Sequence, residues 1–339
     1  MTPSESFDDL LDHRDIVVCV GSGGVGKTTT SAVIGLQAAL MGRKVLVLTI
    51  DPARRLANSL GVDRLGNEPK QIPLDQFHDI GLDAEGELWA MMLDMKQSFD
   101  RLVNKYAPSA EAKHRILRNK LYQYFSTSLA GTQEYAAAER LYELYTDGDY
   151  DLVVLDTPPT SHALDFLEAP TRLVDAINNR ALQWLYKPSS FHSRSGFGLM
   201  SVGVNYVIKT LSRFTGSDLL DELGVFLEAF STLFDGFNTR AQKVRELLTS
   251  DVTTFAVVTA PNLANIDEAI YFHDKLGEDE VRVGAFVVNR VHPSWVPLEE
   301  LDRPSLQIAD DLGDWHEAFS ELTLEEKREF ARKLRANSR

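Results

Sequence analysis

Gly21-Ser22-Gly23-Gly24-Val25-Gly26-Lys27-Thr28 has the form G-x-x-x-x-G-K-[ST]. The apolar run Ile16-Val17-Val18-Cys19-Val20 precedes it, and a helical stretch from Thr29 to Met41 follows. A strand, a glycine-rich loop and a helix in that order make a phosphate-binding loop. The glycines let the backbone curl until successive N–H groups point into one concavity, and the helix N-terminus adds positive partial charge there. Lys27 is placed to reach the terminal phosphates of a nucleotide, and the Thr28 hydroxyl to sit on Mg²⁺. The candidate cradle is therefore Gly21, Ser22, Gly23, Gly24, Val25, Gly26, Lys27, Thr28 and Thr29.

Outward from the loop, apolar runs bounded by turn residues predict a buried, mostly parallel sheet. Strands are expected at Ile16–Val20, Lys44–Thr49, Leu88–Leu93, Leu152–Leu155, Phe255–Val258 and Ala285–Val288. Three polar residues lie where these strands end, on the sheet edge at which α/β proteins bind ligands. Asp51 begins Asp51-Pro52-Ala53-Arg54-Arg55. It suits orientation of the water that attacks a γ-phosphate, and equally a helix N-cap followed by proline. Asp156 closes Leu152-Val153-Val154-Leu155-Asp156, the pattern of a carboxylate emerging beside the phosphate loop to hold a metal. Thr157-Pro158-Pro159-Thr160 then starts a stiff loop suited to sensing a γ-phosphate. His162, in that loop, has no neighbours at metal-ligand spacing. Asn289 suits either an adenine edge or a strand-end turn.

The chain has 339 residues, 44% hydrophobic and 25% charged, with a net charge of −15. That charge opposes sequence-independent nucleic-acid binding, which needs a basic field. The one cysteine, Cys19, sits inside an apolar strand and reads as a small core residue. Met1 to Asp15 shows no signal-peptide pattern, and no apolar run approaches the ~18 residues of a membrane span. A cytoplasmic protein is expected. One P-loop domain is predicted, with its nucleotide core at about 14–94, 151–165 and 251–292. A helical subdomain at about 95–150 and 166–250 is inserted, on the three- and four-residue spacing of Leu219, Leu220, Leu223, Phe226, Leu227 and Phe230. Lys187–Gly198 is the most linker-like stretch. The tail, 293–339, ends in a charged surface helix, Thr323 to Leu334.

These motifs, in order from Ile16 to Val291, resemble the arsenite-pump and tail-anchored-protein-targeting ATPase family, whose bacterial members are commonly labelled anion-transporting ATPases. The family's deviant first motif is similar to Gly21 through Thr28. Its switch I Asp-Pro-Ala looks like Asp51-Pro52-Ala53, and its switch II looks like Asp156-Thr157-Pro158-Pro159-Thr160-Ser161-His162-Ala163. Its adenine-contacting asparagine corresponds to Asn289, and Ala130-Gly131-Thr132-Gln133-Glu134 loosely follows another of its segments. The resemblance implies a P-loop α/β fold and an ATP- and Mg²⁺-dependent hydrolase. In it Asp51 activates water, with Lys27 as the other catalytic group, and Thr28 and Asp156 serve the metal. The chain departs from the family in three places. Ser22 replaces the signature lysine that reaches the partner's nucleotide, so a heterodimer with a lysine-bearing paralogue is expected over a homodimer. The paired zinc cysteines and the arsenite cysteine triad are absent, so no zinc is expected. No evident last strand or proline-containing adenine loop precedes Arg339, which leaves a shortened sequence or a site without that wall.

The expected function is an ATPase whose dimer opens and closes to target or chaperone hydrophobic membrane-protein clients. Apolar residues from Trp184 to Ile208 offer either a groove for an apolar helix or ordinary core and dimer contacts. The rivals are the ATPase subunit of an anion efflux pump and a nucleotide-gated scaffold of the partitioning or septum-site type. The acidic charge and the alternating signs of Glu325 through Lys333 oppose the scaffold.

Overall fold

A computed structural model describes residues 7–51, 53–81, 84–120, 122–123, 126, 132–157, 234–279, 281–291 and 323–329. A seven-stranded sheet runs in the order β3-β4-β2-β5-β1-β6-β7. The strands are β1 (Ile16–Val20), β2 (Lys44–Thr49), β3 (Lys70–Ile72), β4 (Glu87–Met92), β5 (Leu152–Asp156), β6 (Thr253–Thr259) and β7 (Val283–Val288). All neighbours pair in parallel except β3, which lies antiparallel on β4. The six expected strands are all present. The added one, β3, is three residues long with an exposed Lys70 and Gln71, too short and polar for a period-two signal.

Among the described residues, helices are labelled in chain order: α1 (Phe7–Asp12), α2 (Lys27–Leu40), α3 (Arg55–Ser59), α4 (Met95–Tyr106), α5 (Ala110–Arg118), α6 (Thr132–Asp147), α7 (Phe234–Thr249) and α8 (Leu263–Glu278). They flank the sheet on both faces because the central strands are buried on both. From β1, Ile16, Val18 and Val20 pack with Phe99 and Leu102 of α4, Tyr135 of α6 and Leu248 of α7. Val17 and Cys19 point the other way, against Ile34 and Ala38 of α2 and Leu10 and Leu11 of α1. Each fully buried Val, Leu, Ile or Phe among these contributes about 1.5–3 kcal/mol by leaving water. The described helices of the predicted insertion thus share one apolar layer with the sheet. Cys19 is buried and free, as expected, and burial pushes its thiol up to about 12. Near the N-terminus, Phe7–Asp12 form α1 on the strength of the buried Leu10 and Leu11.

Contacts divide the chain into 1–289 and 290–339. In the second unit, residues 324–329 are helical, and the Glu326 carboxylate accepts from the Thr323 amide and hydroxyl in a capping box. The apolar segment Trp184–Ile208, the linker Lys187–Gly198, the helix face Leu219–Phe230, Pro158 through Ala163 with His162, Ala130 and Gly131 lie outside the described residues. Among the described residues, no helix is long and apolar enough to cross a membrane.

Candidate functional site

β1 delivers the chain to Gly21 at the carboxyl edge of the sheet. Gly21 has φ 146°, and a Cβ there would meet Val258 O of β6 at 2.0 Å, so the turn requires glycine. Gly26 (φ 100°) is the N-cap of α2, and a Cβ there would meet Asn289 Nδ2 at 2.1 Å. Its left-handed backbone starts the helix at Lys27, two residues before the expected Thr29. Among the described residues no side chain caps that N-terminus, which leaves its first amides for a ligand. Gly23, Gly24 and Thr29 are exposed, whereas Gly21, Ser22 and Val25 are buried.

The Lys27 side chain folds back over the loop and donates to Gly21 O (2.8 Å) and Ser22 O (2.9 Å). Burial lowers its ammonium from the usual lysine range, opposed in part by the charges of Asp156 and Glu268. Thr28 Oγ1 donates to Asp156 Oδ2 at 2.8 Å, and Thr49 Oγ1, from the end of β2, donates to the same oxygen at 2.8 Å. Asp156 is buried, and among the described residues its Oδ1 has no partner. Burial raises its carboxyl above the ordinary range despite the hydrogen bonds from Thr28 and Thr49 and the nearby charge of Lys27. An unpartnered buried carboxylate oxygen beside a threonine hydroxyl is a hard-oxygen donor set of the kind that suits Mg²⁺. Among the described residues no group of three His, Cys, Asp or Glu side chains could hold a metal by itself. A magnesium ion bound here would draw its remaining ligands from phosphate and water.

Thr49 also ties in Asp51, whose amide donates to Thr49 Oγ1 at 3.2 Å. The Asp51 carboxylate accepts from the Ala53 amide (2.9 Å) and faces Arg55 Nη1 at 3.2 Å. It therefore closes a turn and is not the cap of a helix: α3 starts at Arg55, with Arg54 at its N-cap. Sequence reading missed Thr49, a lone hydroxyl ending the apolar strand Lys44-Val45-Leu46-Val47-Leu48, and its polarity there is the signal that could have found it. Asn289 lies behind the loop, where its Nδ2 donates to Val25 O at 2.8 Å. Ser22 Oγ donates to Glu268 Oε2 of α8 at 2.5 Å, a contact that no local spacing announces.

The site thus gathers Lys27, Thr28, Asp156, Thr49 and Asp51 on one edge of the sheet, with Asn289 bracing the loop. A family profile described as anion-transporting ATPase matches residues 14–301. A putative arsenical pump-driving ATPase 1 of Aquifex aeolicus is 26% identical over 296 residues, covering 84% of this chain and 65% of that protein. ATPase get3 of Aspergillus terreus is 28% identical over 289 residues, covering 84% of this chain and 76% of its own length. ATPase GET3 of Ajellomyces dermatitidis is 26% identical with the same coverage. The match spans about two thirds of the Aquifex protein. With a profile match over most of its length and the phosphate loop and strand-end carboxylates in place, the chain belongs to the anion-transporting ATPase family.

Proposed function

We propose that the chain binds ATP at the Gly21–Thr28 loop and hydrolyses its γ-phosphate. The observation that carries this reading is the Thr28–Asp156–Thr49–Asp51 chain of hydrogen bonds. It links the phosphate loop to both strand-end carboxylates. Lys27 swings from the loop carbonyls to the β- and γ-phosphates, exchanging neutral acceptors for anionic ones. Thr28 and Asp156 hold Mg²⁺, which when bound neutralises phosphate charge. Asp51 orients the attacking water, with Arg55 Nη1 holding its carboxylate from the first turn of α3. Asn289, fixed on Val25, leaves its carbonyl oxygen for the adenine edge.

The ATP cycle opens and closes a dimer that handles hydrophobic membrane-protein clients. Support for this comes from the resemblance and from the apolar residues between Trp184 and Ile208. A second reading, as the motor of an anion pump, is favoured by the name of the Aquifex relative. Ser22 supplies no cation to a partner's site, so the dimer pairs this chain with a paralogue carrying lysine there. The test of nucleotide binding is Lys27→Ala. By calorimetry it loses tight ATP binding while the circular dichroism spectrum is retained, and parent-like affinity contradicts the assignment. ATPase activity of the chain alone and mixed with the paralogue tests the pairing. Full activity alone, insensitive to the paralogue, removes it.

A further inference from the structure

Ser22 is buried at the second position of the loop, and its hydroxyl donates to Glu268 Oε2 at 2.5 Å. Glu268 stands in the second turn of α8 and is half-buried. Among the described residues, no lysine or arginine forms an ion pair with it. Its charge is nevertheless felt at Lys27, the loop's own cation, whose Nζ rests on the carbonyl of the same Ser22. A carboxylate is thus clipped to the edge of a cradle built for a polyanion, in a partly desolvated place where screening is weak.

A hydrogen-bonded clip and a fixed negative charge have different consequences. A clip shapes the loop for any nucleotide alike. A charge repels the ligand in proportion to the ligand's own charge, so it penalises ATP more than ADP. We infer that Glu268 sets the nucleotide preference of the loop: its charge, carried to the cradle's edge by α8, holds down the affinity for a triphosphate relative to a diphosphate. This rests on the reading of Gly21–Thr28 as the nucleotide cradle.

The two terms separate by substitution. Glu268→Gln keeps an acceptor for Ser22 Oγ and removes the charge. Ser22→Ala keeps the charge and removes the donor. Calorimetric affinities for ATP and ADP, each with Mg²⁺, are measured for both variants at about 0.05 M and about 0.5 M salt. Glu268→Gln tightens ATP about three- to tenfold and ADP by less, and the difference shrinks at high salt. Ser22→Ala leaves the ATP-to-ADP ratio near that of the parent. An unchanged ratio in Glu268→Gln overturns the inference, as does weaker ATP binding, which would make the carboxylate a support of the site. A Ser22→Ala ratio matching that of Glu268→Gln assigns the effect to the clip and overturns it equally. Lys27→Ala distinguishes the two levels. Lost binding there with no effect of Glu268→Gln removes only this inference, whereas retained binding removes the cradle reading itself.

Discussion

At the scale of single residues, the site keeps groups in states that cost stability. Asp156 is buried, with one oxygen unpartnered among the described residues, and burial raises its carboxyl. A carboxyl whose folded pKa lies above its unfolded value makes the folded state bind more protons. Its contribution to stability therefore falls as pH rises through the interval between those two values. Asp156→Asn should make the nucleotide-free protein more heat-stable at neutral pH while weakening Mg²⁺-dependent nucleotide binding. Thermal unfolding with and without Mg·ATP checks both halves, and a less stable free protein would show that the Thr28 and Thr49 hydrogen bonds outweigh burial. Asn289 makes an opposite kind of contact, a neutral donor on Val25 O. Asn289→Asp keeps the shape but can turn an acceptor toward that carbonyl. About 1–3 kcal/mol of loop stabilisation is lost, read as a raised Kd for ATP in calorimetry.

At the scale of elements, α6 and α7 are joined by Glu139 and Arg240, 2.7 Å apart and both largely shielded from water. Arg240 also lies 4.0 Å over the Tyr142 ring. Burial raises the Glu139 carboxyl to about 7, against the pull of Arg240. Its contribution to stability thus declines from about pH 4.5 to about pH 7. Arg240→Met strands a buried carboxylate at a cost of about 3 kcal/mol at pH 8 and less at pH 6, where Glu139 takes up a proton. Urea unfolding at the two pH values measures this, and adding Glu139→Gln should recover most of the loss. Equal losses at both pH values would contradict the account. None of this pairing was legible in the sequence, because the partners are 101 residues apart. The strands were legible because burial on both faces writes itself as continuous apolar runs. Where β6 outran its expected ends, the added residues are threonines. Thr253 and Thr259 hydroxyls donate to the carbonyls of Leu247 and Asn265, which lets polar residues extend a buried strand. Lys27, Thr28, Asp51 and Asp156 were legible because each belongs to a local motif. Thr49, Glu268 and the Asp51–Arg55 pair depend on chain segments meeting in space or on a turn that the spacing left open.

At the scale of the whole molecule, the loop, both strand-end carboxylates and the asparagine that follows β7 are brought together from 269 positions of chain, Gly21 to Asn289, by one sheet. The parallel order with β1 between β5 and β6 puts Asp156 on one side of the loop and Asn289, the residue after β7, behind it. A claim of catalysis, beyond binding, rests on Asp51. Asp51→Asn retains the turn acceptor for the Ala53 amide and removes the base and one charge. Steady-state ATP hydrolysis, measured alongside calorimetric binding of Mg·ATP with whichever partner supports turnover, tests the claim. The account predicts that Asp51→Asn still binds Mg·ATP and turns over at least ~10²-fold more slowly, whereas an unchanged rate would leave Asp51 as a turn residue and contradict the proposed catalytic site.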